Sequence, residues 1–135
     1  MLETEFTTTT QTGAYDLTAN VRLIGRDLLV AIWGGEVPHI GAVAVAQPRP
    51  SLKDPDLTSA TASVICYLGH KEDELAKAAA EIISAALNTR VVVTAGIHWD
   101  NLDQDGMDTI LKNSKTLVEM ILEQCVAEFP SAVKS

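Results

Sequence analysis

The first half of the chain alternates apolar and polar positions with a period of two, which predicts β-strands with one solvated face. The clearest stretch runs from residue 15 to residue 23, and its apolar positions are Tyr15, Leu17, Ala19, Val21 and Leu23. The segments "TEFTTTT", "DLLVAIWGG" and "GAVAVAQ" are rich in β-forming residues and predict three further strands. Pro48, Pro50 and Pro55 then predict an exposed loop.

The second half changes to the helical period in two segments, which predicts amphipathic helices over residues 71–87 and 106–128. The apolar stripe of the first contains Leu75, Ala79, Ile82 and Ala86, and that of the second contains Met107, Ile110, Leu111, Leu117, Ile121 and Cys125. Asp105 is the predicted N-cap of the second helix. Before each helix stands a segment that predicts a buried strand, "SATASVICYL" and then "RVVVTAG", the latter covered on both faces.

This order of elements predicts an α+β fold in a single domain that spans residues 1–135. It consists of one mixed, mainly antiparallel sheet with two long helices on one face, in which a β-meander is followed by β-α-β-α.

Composition excludes several classes of protein. The formal net charge of −8 and the pI of about 4.7 argue against a sequence-independent nucleic-acid binder and against a polybasic membrane contact. No apolar run approaches the ~18 residues of a membrane span, and "MLETEF" has no signal-peptide core. The two cysteines lie within apolar patterns, which indicates reduced thiols in a cytoplasmic protein.

Each of the three histidines stands beside a glycine-marked corner: "GGEVPHIG", "GHKEDE" and "AGIHWD". Carboxyl ends of strands are where sheets of this kind bind ligands, and glycine allows a close approach of the backbone there. We therefore predict a shared site, in the same chain or across a dimer interface, in which His39, His70 and His98 meet beside Gly69 and Gly96, with Glu72 two residues after His70.

Structural explanations for the same residues stay open. A corner histidine also caps a helix or hydrogen-bonds a carbonyl group. Glu72, Asp73 and Glu74 also follow from the preference for negative charge in the first turn of a helix. The two tryptophans, Trp33 and Trp99, are equally well explained as core residues.

The chemistry of the predicted site favours a heteroaromatic ligand with polar edges, which imidazoles and carboxylates can hydrogen-bond and indoles can stack on. A phosphate directly on the helix start at residue 71 is poorly matched, because three carboxylates there would repel it. Three histidines and a carboxylate also suit zinc, although no compact zinc motif is present. No serine stands on a nucleophile elbow.

The blocks "PHIGAVAVAQPRPSL", "GHKEDELAKAAAE" and "VVVTAGIHWDNL" resemble the prenylated flavin chaperone family, the small LpdD-like proteins that accompany gallate decarboxylase. The resemblance runs from about residue 20 to residue 112. It implies a non-catalytic carrier that binds prenylated FMN, or FMN, and passes it from a flavin prenyltransferase to a UbiD-type decarboxylase of arylic acids.

The resemblance carries over to the corners at residues 38–41, 69–73 and 96–98, so it implies that the same three histidines bind the cofactor, together with Gly41, Gly69, Gly96, Lys71 and Glu72. Lys71, Arg49 or Arg90 would meet the phosphate, or a divalent cation would bridge it to carboxylates. Two alternatives remain: a small metal- or histidine-dependent enzyme, and a ligand-free assembly subunit of a decarboxylase. A homodimer is the default oligomeric state.

Overall fold

The structure of the chain is a computed structural model that describes residues 4–67 and 72–130. Six strands and two helices follow one another as β1 (Glu5–Thr9), β2 (Leu17–Ile24), β3 (Asp27–Gly35), β4 (Ala42–Pro50), β5 (Thr58–Cys66), α1 (Asp73–Leu87), β6 (Val91–His98) and α2 (Gln104–Glu128). The strands form one sheet in the order β1-β2-β3-β6-β4-β5. Of the strand pairs among these residues, only β3–β6 is parallel. The predicted α+β class, mixed sheet and element order are confirmed.

Both helices pack on the same face of the sheet, as predicted. Helix α1 lies on β4, β5 and β6, whereas α2 lies on β1 and β2 and contacts α1. The core between the layers is formed by the inward positions of the strands, such as Leu17, Val30 and Val93, and by Ile83, Leu117 and Ile121 of the helices. None of the helices in the described residues is long and apolar enough to cross a membrane.

Three strand predictions were wrong in detail. Strand β5 is an edge strand with alternate residues exposed, not a buried strand, because among the described strands it pairs with β4 alone. The predicted proline loop begins only after Pro50. Beyond Ala46, strand β4 no longer pairs with β6 and continues beside β5. One side of β4 is therefore unpaired there, so the missing N–H groups of Pro48 and Pro50 are tolerated. Strand β6 is buried on the helix side but only half-buried at Val92 and Thr94.

The predicted helices are present, but their buried faces differ from the predicted stripes. In α1 the buried positions are Ala76, Ala79, Ala80, Ile83, Ser84 and Leu87. Ile82 and Ala86 are exposed, because a helix rich in alanine offers several nearly equal apolar stripes. In α2, Met107 and Leu111 are exposed. Its N-cap is Asp103 rather than Asp105, since the Asp103 carboxylate accepts a hydrogen bond of 2.7 Å from the Gly106 N–H.

Tyr15 does not belong to β2, although it fits the alternating pattern. Its φ of 56° is left-handed and places it in the turn before the strand. The buried side-chain amide of Asn113 in α2 donates to the carbonyl oxygens of Ala14 and Tyr15, at 3.0 and 2.7 Å. A polar residue on the helix therefore fixes a turn of the sheet.

Candidate functional site

The β3–β4 link, residues 36–41, crosses the end of β6, because β6 lies between the two strands that the link connects. The Glu36 N–H donates to the His98 carbonyl at 2.8 Å, and the Gly41 N–H donates to the Ala95 carbonyl at 2.9 Å. We use the name β6 corner for residues 36–41, residues 97–100 and Glu72.

Two of the predicted glycines make this crossing possible. A Cβ atom on Gly96 would lie 1.6 Å from the backbone carbonyl oxygen of His39, so only glycine lets the link approach β6 there. A Cβ atom on Gly41 would lie 2.3 Å from Oε2 of Glu72, so the Glu72 carboxylate occupies that space. The structure thus gives both glycines a packing role, and their predicted contact with a cofactor stays a prediction.

His39 and Glu72 form a hydrogen-bonded pair inside the corner. Nε2 of His39 lies 2.9 Å from Oε1 of Glu72, and both side chains are largely shielded from solvent. The same oxygen accepts the Ile97 N–H at 3.3 Å. Glu72 also precedes α1 as its N-cap residue, but its side chain does not make the capping hydrogen bond. Its carboxylate joins the start of α1 to the link and to β6.

The partners of His39 fix its protonation at one nitrogen. Nδ1 lies 2.8 Å from the Val37 carbonyl oxygen, which only accepts, so Nδ1 carries a proton. Nε2 faces an oxygen that already accepts from Ile97. A second proton must therefore lie between His39 and Glu72, either on the imidazole ring or on the carboxyl group. The pair is a place where one proton can be held between two side chains.

His98 stands on the exposed side of the corner. Its Nε2 donates to Oδ1 of Asp100 at 2.9 Å, and both side chains face solvent. This hydrogen bond, followed by one with Glu36 and by the charge of His98, holds the pKa of Asp100 below its usual value. The carboxylate only accepts, so this hydrogen bond places a proton on Nε2 of His98 and fixes the orientation of its ring.

The two tryptophans lie on opposite faces of the sheet. Trp99 packs edge-on against Tyr15, with ring centroids 5.1 Å apart, and borders the core near Gly34. Trp33 is half-buried on the face that the helices leave open, beside Gly96 of β6. Trp33 is therefore the indole better exposed to a ligand on the outer face.

Apolar side chains at the corner were missed by the sequence analysis. Val37 and Ile40 of the link and Tyr67 after β5 are all more than half exposed. The Tyr67 N–H donates to the Gly41 carbonyl at 2.8 Å, which brings Tyr67 to the corner. The continued alternation of β5 through Ile65 to Tyr67 was the signal that assigns both side chains to the outer face.

The structure places two of the predicted phosphate contacts, Arg49 and Arg90, away from the β6 corner. Arg90 precedes β6 and pairs with Asp27 at 3.0 Å, and Arg49 lies near the end of β4 and donates to Thr61. Both positions are at the opposite end of the sheet from the corner. Gly69, His70 and Lys71 lie outside the described residues, so the prediction that three histidines meet cannot be followed to His70. His39 and His98 both lie at the carboxyl end of β6.

Metal binding and cysteine chemistry are the two other kinds of site to consider in residues 4–67 and 72–130. No group of three or more His, Cys, Asp or Glu side chains in this part of the chain is placed to hold a metal ion. Cys66 and Cys125 do not form a disulfide. Burial in α2 raises the pKa of Cys125 to about 12, so this thiol stays protonated at neutral pH and is a poor nucleophile.

Comparison with known proteins decides the family. The profile described as "Prenylated flavin chaperone LpdD-like domain" matches residues 11–126. The chain belongs to this family. Protein LpdD of Lactiplantibacillus plantarum is a relative that is 32% identical over 105 residues, which cover 71% of this chain and 67% of that protein. The predicted family resemblance is therefore confirmed.

A solved structure that aligns with this chain is described as a novel chaperone complex for yeast 20S proteasome assembly. The alignment has a TM-score of 0.48 and 14% identity, and it covers 87% of this chain and 99% of the yeast chain. Most of the β6 corner, residues 38–41 and 97–100, belongs to two of the three blocks that carry the family resemblance, and Glu72 belongs to the third.

Proposed function

We propose that this LpdD-like protein binds prenylated FMN at the β6 corner and delivers it to a UbiD-type decarboxylase in the cytoplasm. The observation that carries the proposal is the family match over residues 11–126. On this proposal a flavin prenyltransferase supplies the cofactor, and the protein itself catalyses no step.

The corner has the chemistry that an isoalloxazine ring requires. Val37, Ile40 and Tyr67 are exposed apolar side chains of the corner, and Trp33 is half-buried on the outer face beside Gly96 of β6; on this proposal they offer a surface for the ring faces. His98, oriented by Asp100, offers a hydrogen-bonding nitrogen for a polar ring edge. The His39–Glu72 pair lies behind this surface and holds the link in position. When bound, prenylated FMN would supply the decarboxylase with its reactive ring, and this chain would shield and orient it.

The phosphate of the cofactor needs a cation near the corner. Arg49 and Arg90 are at the wrong end of the sheet for the same ligand. Lys71, which follows directly on His70 in the sequence, is the basic residue that we assign to the phosphate. A divalent cation that bridges the phosphate to corner carboxylates is the alternative, and adding a chelator to the binding assay distinguishes the two.

Replacement of His98 by Ala tests the site directly. We expect prenylated FMN to bind the wild type, and the His98→Ala variant to lose ~1–3 kcal/mol of binding free energy with its hydrogen-bonding partner. Unfolding temperature should change little, because His98 is half-exposed and lies outside the core. Calorimetry measures the affinity for prenylated FMN, and tryptophan fluorescence reports its binding at the β6 corner.

Gln124→Ala in α2, a half-buried neutral residue on the helical layer, is the control and should bind like the wild type. Transfer is measured by mixing the loaded protein with an apo-decarboxylase and following the appearance of decarboxylase activity. A wild type that binds neither FMN nor its prenylated form would contradict the proposal. Equal affinity of the wild type and His98→Ala for prenylated FMN would contradict binding at the β6 corner.

A further inference from the structure

Strand β5 (Thr58–Cys66) forms one edge of the sheet over nine residues. Among the strands of residues 4–67 and 72–130 it pairs with β4 alone, so no described strand lies along its other side. A free edge is a template for pairing with another chain, and proteins usually guard it with charges, prolines or a short length. The sequence "TSATASVIC" has no charged residue and no proline. The strand itself therefore does nothing to prevent pairing at this edge.

The other edges of the same sheet are guarded in the usual ways. Strand β1 is only five residues long and carries the charged Glu5. The stretch of β4 beyond Ala46, which no longer pairs with β6, contains Pro48, Arg49 and Pro50. This contrast identifies β5 as the edge that is open to a partner.

The hydrogen-bond pattern of β5 shows which backbone groups the open edge offers. The Tyr67 N–H donates to the Gly41 carbonyl, and every second residue back along β5 faces β4 in the same way. In an antiparallel pair, the residues between these turn both their N–H and their C=O groups to the other side. The backbone groups of Ala60, Ala62 and Val64 therefore point away from β4 and along the open edge.

Helix α1 adds an apolar wall beside this edge. Leu87 lines a small cavity together with Cys125 of α2, so its side of α1 faces the second helix. Leu75, Ile82 and Ala86 lie roughly 100–140° around the helix from Leu87, on the opposite flank. The right-handed connection from β5 through α1 to β6 places this flank above the edge of β5. Ile82 is 50% exposed there.

The open edge and the helix flank together form a groove. We use the name β5 groove for its six residues, which are Ala60, Ala62, Val64, Leu75, Ile82 and Ala86. All six are apolar, although the chain as a whole is strongly charged. A strand that lies in this groove would pair with β5 through its backbone and contact α1 through every second side chain.

We propose that the β5 groove receives an extended segment of the partner decarboxylase as a seventh strand of the sheet, an inference that rests on the proposed function. The occupant is an extended backbone, because strand addition is the mode of recognition that pairs a whole row of edge groups. Its side chains towards α1 are apolar, as the groove residues are. The net charge of −8 on this chain disfavours an acidic segment and favours a neutral or basic one.

Both ends of the described chain lie at the opposite edge of the sheet. Strand β1 forms that edge, and Phe129, which follows α2, packs on Phe6 of β1 with ring centroids 5.5 Å apart. Five strand spacings of about 4.8 Å separate β1 from β5 by roughly 24 Å. A segment of a second polypeptide reaches the β5 groove without crossing the sheet.

The groove also leads to the β6 corner. Strand β5 ends beside the corner, because Gly41 of the corner accepts the Tyr67 N–H at 2.8 Å. A decarboxylase segment paired with β5 would thus hold its protein next to the surface at which we propose that prenylated FMN binds. Anchoring through backbone groups leaves the side chains of the corner to the cofactor.

Proline at one outward-facing position tests the strand addition. Ala62→Pro removes an N–H group that points along the open edge, and it leaves the hydrogen bonds between β5 and β4 in place. We expect it to raise the dissociation constant for a UbiD-type apo-decarboxylase at least about 10-fold in calorimetry. Thr7→Pro in β1, where the N–H also points away from the neighbouring strand, is the matched control and should leave this constant unchanged.

Amide exchange gives a readout that contact without strand pairing would not produce. On adding the apo-decarboxylase, the outward amides of Ala62 and Val64 should exchange at least about 10-fold more slowly. The amides of Ser63 and Ile65 already donate to β4 and should change little. Equal slowing of all four amides would contradict strand addition.

Circular dichroism checks that each variant is folded. If Ala62→Pro does not fold, Ile82→Glu in the helix flank takes its place and should also weaken decarboxylase binding at least about 10-fold, because it puts a charge against the added strand. Val126→Glu in α2 is its control, since Val126 is 55% exposed and lies outside the groove.

Binding of prenylated FMN, measured separately, distinguishes this inference from the proposed function. A wild type that binds no decarboxylase, or that binds it as tightly as Ala62→Pro does, overturns strand addition whatever its flavin affinity. A wild type that binds the decarboxylase through β5 but binds no flavin supports strand addition and contradicts the proposed function. Self-association of the wild type that is lost in Ala62→Pro would assign the groove to a second copy of this chain and overturn the proposal.

Discussion

At the scale of single residues, the corner depends on two glycines whose missing side chains make room for different neighbours. The space at Gly96 is taken by the backbone carbonyl of His39, and the space at Gly41 by the flexible end of the Glu72 side chain. A side chain can be removed by substitution, whereas a backbone carbonyl cannot. This difference yields a prediction that separates the two positions.

We expect Gly41→Ala and Glu72→Ala each to destabilise the fold by ~1–3 kcal/mol, the first through overpacking and the second through lost hydrogen bonds to His39 and Ile97. The double variant should cost less than the sum by about 1 kcal/mol or more, because removing the carboxylate opens the space that the added methyl group needs. Chemical denaturation of the four proteins measures this coupling.

Gly96→Ala is the matched control for that cycle. Its cost should persist in the Glu72→Ala background, since the clash is with the backbone of the link. Relief of Gly96→Ala by Glu72→Ala, or additivity of Gly41→Ala with Glu72→Ala, would contradict the packing described at the β6 corner.

The histidine and glycine motifs of the corner were visible in the sequence, but their partners were not. That His39 pairs with Glu72, across 33 positions of the chain, depends on the link crossing β6. Likewise, Arg49 and Arg90 were plausible phosphate contacts until strand pairing placed them at the far end of the sheet. Residue type and spacing indicate chemistry, whereas distance between segments follows only from topology.

At the scale of elements, the turn between β1 and β2 depends on one half-buried carboxylate, that of Asp16. Asp16 accepts hydrogen bonds from the Thr10 hydroxyl at 2.7 Å, from the Thr12 N–H and from the Gly13 N–H. These hydrogen bonds, that from Thr10 most of all, lower the pKa of Asp16 to about 2. The ionised form is therefore favoured by folding.

A lowered pKa in the folded state gives stability that is present above the ordinary value of 3.8 and is lost as the pH falls towards about 2. We expect Asp16→Asn to lower the melting temperature at neutral pH, and the difference from wild type to shrink within this acid range. Thermal melts across that range measure the difference. Asp56→Asn, in the exposed loop after β4, is the control; a difference that does not shrink in acid would refute this account of the turn.

Element types and most of their bounds were predictable from local pattern. Strand β3 occupies the residues 27–35 that were predicted, because alternation and the terminal glycines mark both ends. The status of a strand as edge or centre was not predictable, since β5 and β6 read alike in sequence. Burial in a sheet depends on neighbours, and here the neighbours come from distant parts of the chain.

At the scale of the whole molecule, β6 is the strand that holds the sheet together. It pairs with β3 over eight residues and with β4 over five, and β3 and β4 do not pair with each other. The sheet thus consists of a three-stranded unit and a two-stranded unit joined through one strand. Opening β6 separates the two units, so its amides should exchange only when the whole domain unfolds.

We therefore expect amide hydrogen exchange to be slowest in β6, at Val93 and Ala95 above all, with a free energy of opening equal to that of global unfolding. Of the strands in residues 4–67 and 72–130, the edge strand β1 pairs with β2 alone, and it should exchange through local opening several kcal/mol below this limit. Exchange followed by NMR or mass spectrometry gives both values. Equal protection in β1 and β6 would mean that the sheet opens as one piece.

The position of β6 also has a consequence for how the cell makes this protein. During synthesis on the ribosome, residues 5–35 and 42–66 emerge first and can form two separate antiparallel units, each with one edge, β3 or β4, that is to pair later with β6. Those edges are templates for wrong pairing, with each other or with another nascent chain. The strand that belongs between them leaves the ribosome later, after α1. Until then the open edges need protection, so a protein of a chaperone family is itself exposed to misassembly while it is being translated.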